Sequence, residues 1–264
     1  MTTGNPRRKG LIILSMPRSG SSWLASLSNA NGTMGVADEW LDFAHLTPPK
    51  GAKGRPLLNR KTLQSASTPN GNFAIKIFPR QLLQVIDEYE FDFIRRAMRE
   101  HDTKLVLLER TDRKAQAISL VRAMQTGQWR ADQPASKNPQ YNFGAIAQAY
   151  FHICRGYDFW HSYLALQGFA HQSFTYEELL PDPAPFLAAV CPHFGAPVPP
   201  EKSPSEIRRN PQSADWRARF EQDLETYGIP ASAYQQKQPD PGLGNALNVL
   251  RGKPAKINRF GYSA

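Results

Sequence analysis

Short apolar runs alternate along the chain with longer stretches of helical period. The runs over 10–15, 73–78, 103–109 and 171–176 are too short for helices and predict strands. Between them, apolar residues recur at three- and four-residue intervals. That spacing predicts helices near 20–30, 79–99, 112–126, 142–167 and 184–194, and a last one near 213–227. Strands alternating with helices argue for an α/β fold with a central parallel sheet. One strand carries an anomaly. In Phe73-Ala-Ile-Lys-Ile-Phe78, alternation places Phe73, Ile75 and Ile77 on one face and Lys76 on the other with Ala74 and Phe78. A lysine there either meets a buried anion or snorkels to solvent.

The first strand enters a loop with its own chemistry. Leu11 to Leu14 breaks into Pro17-Arg-Ser-Gly-Ser-Ser22, and the helical pattern starts at once with Trp23-Leu24. A strand feeding a tight loop that opens a helix aims several backbone N–H groups at one point, with the positive end of the helix dipole behind them. Gly20 permits close backbone approach, Ser21 and Ser22 add hydroxyls, and Arg18 adds a planar cation suited to oxyanions. The arrangement is an anion cradle, although an ordinary strand-turn-helix with a serine cap gives a similar pattern. It lacks the loop lysine of G-x-x-x-x-G-K-[ST], and no G-x-G-x-x-G is present.

A second run, Lys104 to Glu109, ends in Arg110 and opens a helix that Thr111 or Asp112 can cap. This helix presents Ala115, Ile118, Ser119 and Arg122 at helical spacing, so Arg110 and Ser119 can converge on a further phosphate. Together with the Pro-Arg-Ser-Gly-Ser-Ser loop, this pair resembles the sulfotransferases that use 3′-phosphoadenosine 5′-phosphosulfate (PAPS). The wording Ala115-Gln-Ala-Ile-Ser119, then Ala123-Met-Gln-Thr-Gly-Gln-Trp129, resembles the bacterial trehalose 2-sulfotransferase type of carbohydrate sulfotransferase. Weaker echoes are Gly35-Val-Ala-Asp-Glu-Trp40, Thr68-Pro-Asn-Gly71 and Asp215-Trp-Arg-Ala-Arg-Phe220. The likeness spans residues 10 to 228.

That resemblance implies a P-loop-like three-layer sandwich, with PAPS as donor, 3′-phosphoadenosine 5′-phosphate (PAP) as product and a carbohydrate or glycolipid hydroxyl as acceptor. Arg18, Ser19, Gly20, Ser21, Ser22, Trp23, Arg110 and Ser119 then form the donor site. Sulfuryl transfer is an in-line displacement that needs a base and cations where charge builds on the leaving phosphate. Glu39 is the candidate base by resemblance, with Asp38 as the alternative; Arg18 and Lys76 are the candidate cations. Asp38, Glu39, Gln125 and Trp129 are candidate acceptor contacts, Trp129 because an aromatic face suits a pyranose ring. The donor is already an activated anhydride, so no metal is expected. The resemblance also admits a homodimer. The chain departs from the family pattern at Ala37-Asp-Glu-Trp-Leu41 and in a shorter segment before Thr68. Pro48-Pro-Lys-Gly-Ala-Lys-Gly-Arg-Pro56 there suggests a loop or lid.

Composition adds limits. The chain has 264 residues, enough for one core without staples, and a sulfotransferase domain is expected over 1–234 with an extension over 235–264. Thirty-two basic against 23 acidic residues give a net charge of +9, which favours anionic ligands. The basic residues are dispersed and no zinc, zipper or RNA-binding signature is present, so nucleic acid is not the expected partner. Cys154 and Cys191 are expected as buried fillers, and the scattered histidines, His45 among them, as packing or loop residues. No run is long enough for a signal peptide core or an integral membrane segment, which makes the cytoplasm the expected location. The rival reading is a P-loop-like nucleotide kinase, or a PAP- or glycan-binding module without turnover.

Overall fold

A computed structural model describes residues 7–42, 48–130, 133–198 and 211–234. The four expected strands are present as β1 (Lys9–Leu14), β2 (Phe73–Ile77), β3 (Asp102–Glu109) and β4 (Gln172–Thr175). They form one sheet in the order β2-β1-β3-β4, every pair parallel. A parallel sheet is buried on both faces, so its central strands are continuously apolar. In β1, Ile12 and Leu14 join one cluster of buried side chains, while Leu11 and Ile13 join the other.

Helices cover both faces, giving the three-layer α/β/α arrangement. On the first face lie α2 (Arg55–Ala66), α3 (Pro79–Tyr89), α4 (Phe93–Glu100) and the C-terminal part of α6 (Phe143–Gln167), through Leu58, Leu82, Ile94 and Trp160. On the second lie α1 (Ser21–Asn29), the short α7 (Tyr176–Leu179) and α8 (Ala184–Phe194), through Leu24, Leu179 and Phe186. A third cluster joins α5 (Arg113–Thr126), the N-terminal part of α6, α9 (Pro211–Tyr227) and α10 (Ala231–Tyr234) around Met16.

Three sequence expectations about the fold need correction. The helix expected over 79–99 is two helices. Glu90 turns left-handed at φ 48°, and the Asp92 carboxylate accepts from Arg95 N at 2.9 Å to start α4 afresh. The proline- and glycine-rich stretch over 48–56, expected as a loop or lid, leads into a helix. Ala52–Gly54 forms a 3₁₀ turn and Pro56 sits in the first turn of α2, where its missing N–H costs nothing. Tyr89 Oη donates to Pro48 O at 2.9 Å, Gly51 N donates to Glu88 O at 2.8 Å, and Arg55 pairs with Glu90 at 2.7 Å. These contacts bind the stretch to the end of α3. Cys191 is buried as expected, whereas Cys154 is only half-buried. His45, the extension over 235–264, and Arg208 and Arg209, which the sequence reads as solvated charge or contacts to nucleotide or acceptor, lie outside the described residues. Among those described, no helix is long and apolar enough to cross a membrane.

Candidate active site

All four strands end on one edge, and the chain leaves β1 toward β2 on one side and occupies β3 on the other. In parallel sheets such a reversal is where a crevice forms beyond the strand ends, which here falls between the loops after β1 and β3. The first loop turns through Arg18 at φ 64° and Gly20 at φ 88°. Gly20 is needed twice over: for that backbone angle, and because a Cβ there would stand 2.3 Å from the Tyr176 ring. Helix α1 starts directly after it without a side-chain cap. Ser19 is fully buried and its hydroxyl lies 2.6 Å from Ser15 Oγ, which in turn donates to Leu108 O at 2.7 Å. Ser19 therefore offers the cradle its backbone, and Ser22, exposed on α1, offers its hydroxyl.

The Gln116-Ala-Ile-Ser119 wording has a structural meaning. Residues three apart on a helix share a face, and here both face the first loop. Buried Gln116 donates to Pro17 O at 2.8 Å, and Ser119 Oγ accepts from Arg18 Nε at 2.9 Å. Arg18 also donates to Trp129 O. Arg110 lies beside it, donating from Nη1 to Arg18 O at 3.2 Å, with its guanidinium 5.1 Å from the Tyr176 ring centre. Tyr176 meets Trp23 edge-on at 6.3 Å between ring centres. Burial, then the charges of Arg110 and Arg122, holds the Arg18 pKa below its ordinary value. Such a cluster of like charges is what an oxyanion would relieve. Arg110 Nε is buried and makes no hydrogen bond among the described residues, and the Glu177 carboxylate stands 3.8 Å from it. An unsatisfied buried guanidinium N–H beside Arg18 fits a phosphate group of the donor.

Across the crevice, residues 35–39 return along the outer edge of β2. Asp38 bridges Ile75 in parallel, and Lys76 N donates to Asp38 O at 3.0 Å. Glu39 is thereby set against Lys76, whose side chain is 2% exposed. Lys76 Nζ is 3.0 Å from Glu39 Oε1 and 3.0 Å from Ser22 Oγ. The lysine in the apolar strand does meet a carboxylate, and the same ammonium touches the anion cradle.

The remaining candidates divide. Asp38 is held by Arg130 at 3.1 Å, so the loop that carries Trp129 also closes toward Glu39. Trp129 is 47% exposed beside that pair. Gln125 is not drawn in: its amide donates to Gln140 O at 2.9 Å and accepts from Gln140 N at 2.7 Å, anchoring the following loop. Sequence reasoning missed Gln81, Arg130, Tyr176 and Glu177. Tyr176 and Glu177 had a local signal, because Thr175 and Glu178 form a capping box that marks a helix start at the same sheet edge. Glu177 is raised by burial, but hydrogen bonds from Thr111 N and Asp112 N bring its pKa below the usual carboxylate value.

A family model described as Stf0 sulphotransferase matches residues 77–223, more than half of the chain. The chain belongs to the Stf0 sulfotransferase family. A curated relative, the trehalose 2-sulfotransferase of Mycobacterium tuberculosis (strain ATCC 35801 / TMC 107 / Erdman), is 24% identical over 260 residues, covering 83% of this chain and 97% of its own. Among solved structures, the sulfotransferase domain from the curacin biosynthetic pathway covers 95% of this chain and 99% of its own, at 11% identity and a TM-score of 0.46. The sulfotransferase domain of the Synechococcus PCC 7002 olefin synthase covers 87% and 98%, at 17% identity and a TM-score of 0.39. The matched segment of the Stf0 sulfotransferase begins at the end of β2 and runs through Arg110 and Ser119 to α9, so it contains the second half of the crevice. The first half, with Arg18 and Glu39, lies ahead of it.

Proposed function

We propose that this Stf0 sulfotransferase moves a sulfuryl group from PAPS to a hydroxyl of a carbohydrate or glycolipid, with Glu39 as general base. The supporting observation is the single buried ammonium of Lys76, which joins Glu39 to Ser22 of the anion cradle at 3.0 Å each. A base must lie close to the proton it removes, and a cation must lie where negative charge grows. Lys76 ties those two positions together.

PAPS supplies a sulfuryl group already activated as an anhydride. Arg18 and the N–H groups of Ser19 to Ser22 hold the 5′-phosphate end, Arg110 and Ser119 hold the 3′-phosphate, and Tyr176 with Trp23 offers ring surface to the nucleoside. Glu39 accepts the hydroxyl proton as the acceptor oxygen bonds to sulfur. The bond from sulfur to the phosphate oxygen breaks in line, and its electron pair leaves on PAP. Lys76 and Arg18 balance the charge on either side of the moving group. Asp38, paired with Arg130, and the exposed Trp129 border the acceptor side. A sugar acceptor draws support from the likeness to trehalose 2-sulfotransferase.

Calorimetric titration with PAP, ADP and ATP, each with and without Mg²⁺, tests the donor reading. Metal-independent binding of PAP that clearly exceeds the others is expected. Preference for ATP with Mg²⁺ would overturn PAPS as donor and point to a kinase. A panel of sugars incubated with PAPS then reads PAP release. Binding without release to any acceptor would favour a PAP-binding module.

A further inference from the structure

Gln81 has no part in the cradle or in the ion pair, yet it touches the proposed base. It lies at the third position of α3, is 1% exposed, and its amide bridges two groups. Phe78 N donates to its Oε1 at 2.9 Å, and its Nε2 donates to Glu39 Oε2 at 2.9 Å. The orientation of the amide is forced. A backbone N–H can only donate, so the oxygen must face Phe78 and the NH₂ must face the carboxylate. Phe78 has no side-chain acceptor, so this is one half of a capping box, and the second end of the amide is turned to another use.

We infer that Gln81 is a positioning residue that fixes which oxygen of Glu39 faces the acceptor and in which direction. Glu39 is held at both oxygens, by Lys76 Nζ on Oε1 and by Gln81 Nε2 on Oε2. A side chain with two rotatable bonds beyond Cβ is thus held at both ends of its carboxylate by two nearly buried groups, from β2 and α3. Each oxygen of a carboxylate keeps a further lone pair, and the two donors leave those lone pairs pointing in defined directions. The helix cap locks the amide, the amide locks the carboxylate, and the carboxylate is set before any acceptor arrives. The charged groups around Glu39 are Lys76 on β2, Asp38 beside it in the chain, and Arg130 held by Asp38; Arg80 of α3 faces Asp42 instead.

The inference rests on Glu39 being the base; Gln81→Glu tests the inference and Glu39→Gln tests the reading beneath it. A glutamate keeps the acceptor for Phe78 N and suits the start of a helix, so folding and PAP affinity should hold. It replaces the donor facing Glu39 with a second carboxylate, and two carboxylates at hydrogen-bond distance share a proton. The expected result is a ten- to hundred-fold fall in kcat, with the acid limb of the kcat/KM profile moved to higher pH and the Kd for PAP unchanged. Wild-type kcat and an unmoved pH profile would overturn the inference and leave Gln81 a helix cap. Should Gln81→Glu fail to fold, Gln81→Met removes both hydrogen bonds at similar volume; wild-type kcat in that variant overturns the inference equally. Glu39→Gln is the control for the underlying reading: if it keeps turnover, Glu39 is not the base, whatever Gln81 does.

Discussion

At the scale of single residues, the two loop arginines differ in what they touch, and so in what their loss should do. Arg18 reaches Ser119 and Trp129 O across the crevice from within the cradle, whereas Arg110 extends from the strand end toward Tyr176 with an unsatisfied Nε. In the proposed reaction Arg18 meets the charge that grows on the leaving phosphate. Arg18→Ala should therefore lower turnover on the order of 10²–10³-fold while changing PAP affinity far less. Unchanged turnover would remove Arg18 from the mechanism. Arg110→Ala should weaken PAP more than adenosine monophosphate, because only PAP carries the 3′-phosphate; equal losses in calorimetry would sink that assignment. Both arginines could be placed from the sequence, Arg110 because it directly follows an apolar run and Arg18 because it lies in the loop after one, so each falls at the sheet's carboxyl edge. Lys76 was legible as an anomaly, a charge inside an apolar strand, but the sequence left open whether it meets an anion or snorkels to solvent. Gln81 was not: a glutamine three residues into a helix looks like any capping residue, and only the fold brings Glu39 from 42 positions away to meet it.

Among the elements, the segment over 35–39 has no regular structure yet carries the proposed base, and its placement depends on close backbone packing against β2. Gly35, at φ 90°, has the place of its missing Cβ 2.2 Å from Ala74 N and 2.2 Å from Phe73 C. Backbone atoms in a sheet cannot move aside as a side-chain tip can. Gly35→Ala should cost about 2–4 kcal/mol, from left-handed strain and overlap together. It should also reduce kcat by moving Glu39 away from Lys76. Gly32→Ala is the matched comparison: φ is 73° there, but nothing lies within 4 Å. Thermal melts should show a drop for Gly35→Ala several times that for Gly32→Ala; equal drops would mean that only the backbone angle matters. The strands were readable because a sheet buried on both faces imposes uninterrupted apolar runs. Helix α2 was not, since Pro56 and the glycines before it carry the same signal whether they end a helix or begin one. The break at Glu90 was hidden for the opposite reason. Phe91 and Phe93 keep the apolar pattern going, both bury in the core, and only the capping by Asp92 marks the interruption.

For the whole molecule, acid stability should fall in two separable windows. Burial, with Arg155 adding to it, holds His152 on α6 down to about 4, and burial likewise lowers His101, against the pull of Glu100. A histidine kept neutral in the folded chain takes up its proton in the unfolded chain first, below about pH 6.5. Between that value and about 4 the unfolded state binds more protons, so stability declines as pH drops through this range. The carboxylates act lower. In Glu177, Asp112 and Glu100, burial raises the pKa, but hydrogen bonds, joined at Asp112 and Glu100 by arginine neighbours, outweigh it and leave each below its ordinary value. Their stabilisation is complete above the unfolded values near 4 and is lost only as pH falls further. Urea unfolding at pH 7.5, 5.5, 4.5 and 3.0 distinguishes the windows. The wild-type chain should lose stability across this series, with His152 contributing on the order of 1–2 kcal/mol once its partial exposure is discounted. His152→Gln should flatten the decline between pH 6.5 and 4.5 and leave the steeper loss below pH 4 in place. An identical slope in both proteins would show that burial of His152 does not govern the upper window. Because α6 joins the first-face core to the cluster around Met16, a loss there should melt both together in a single transition.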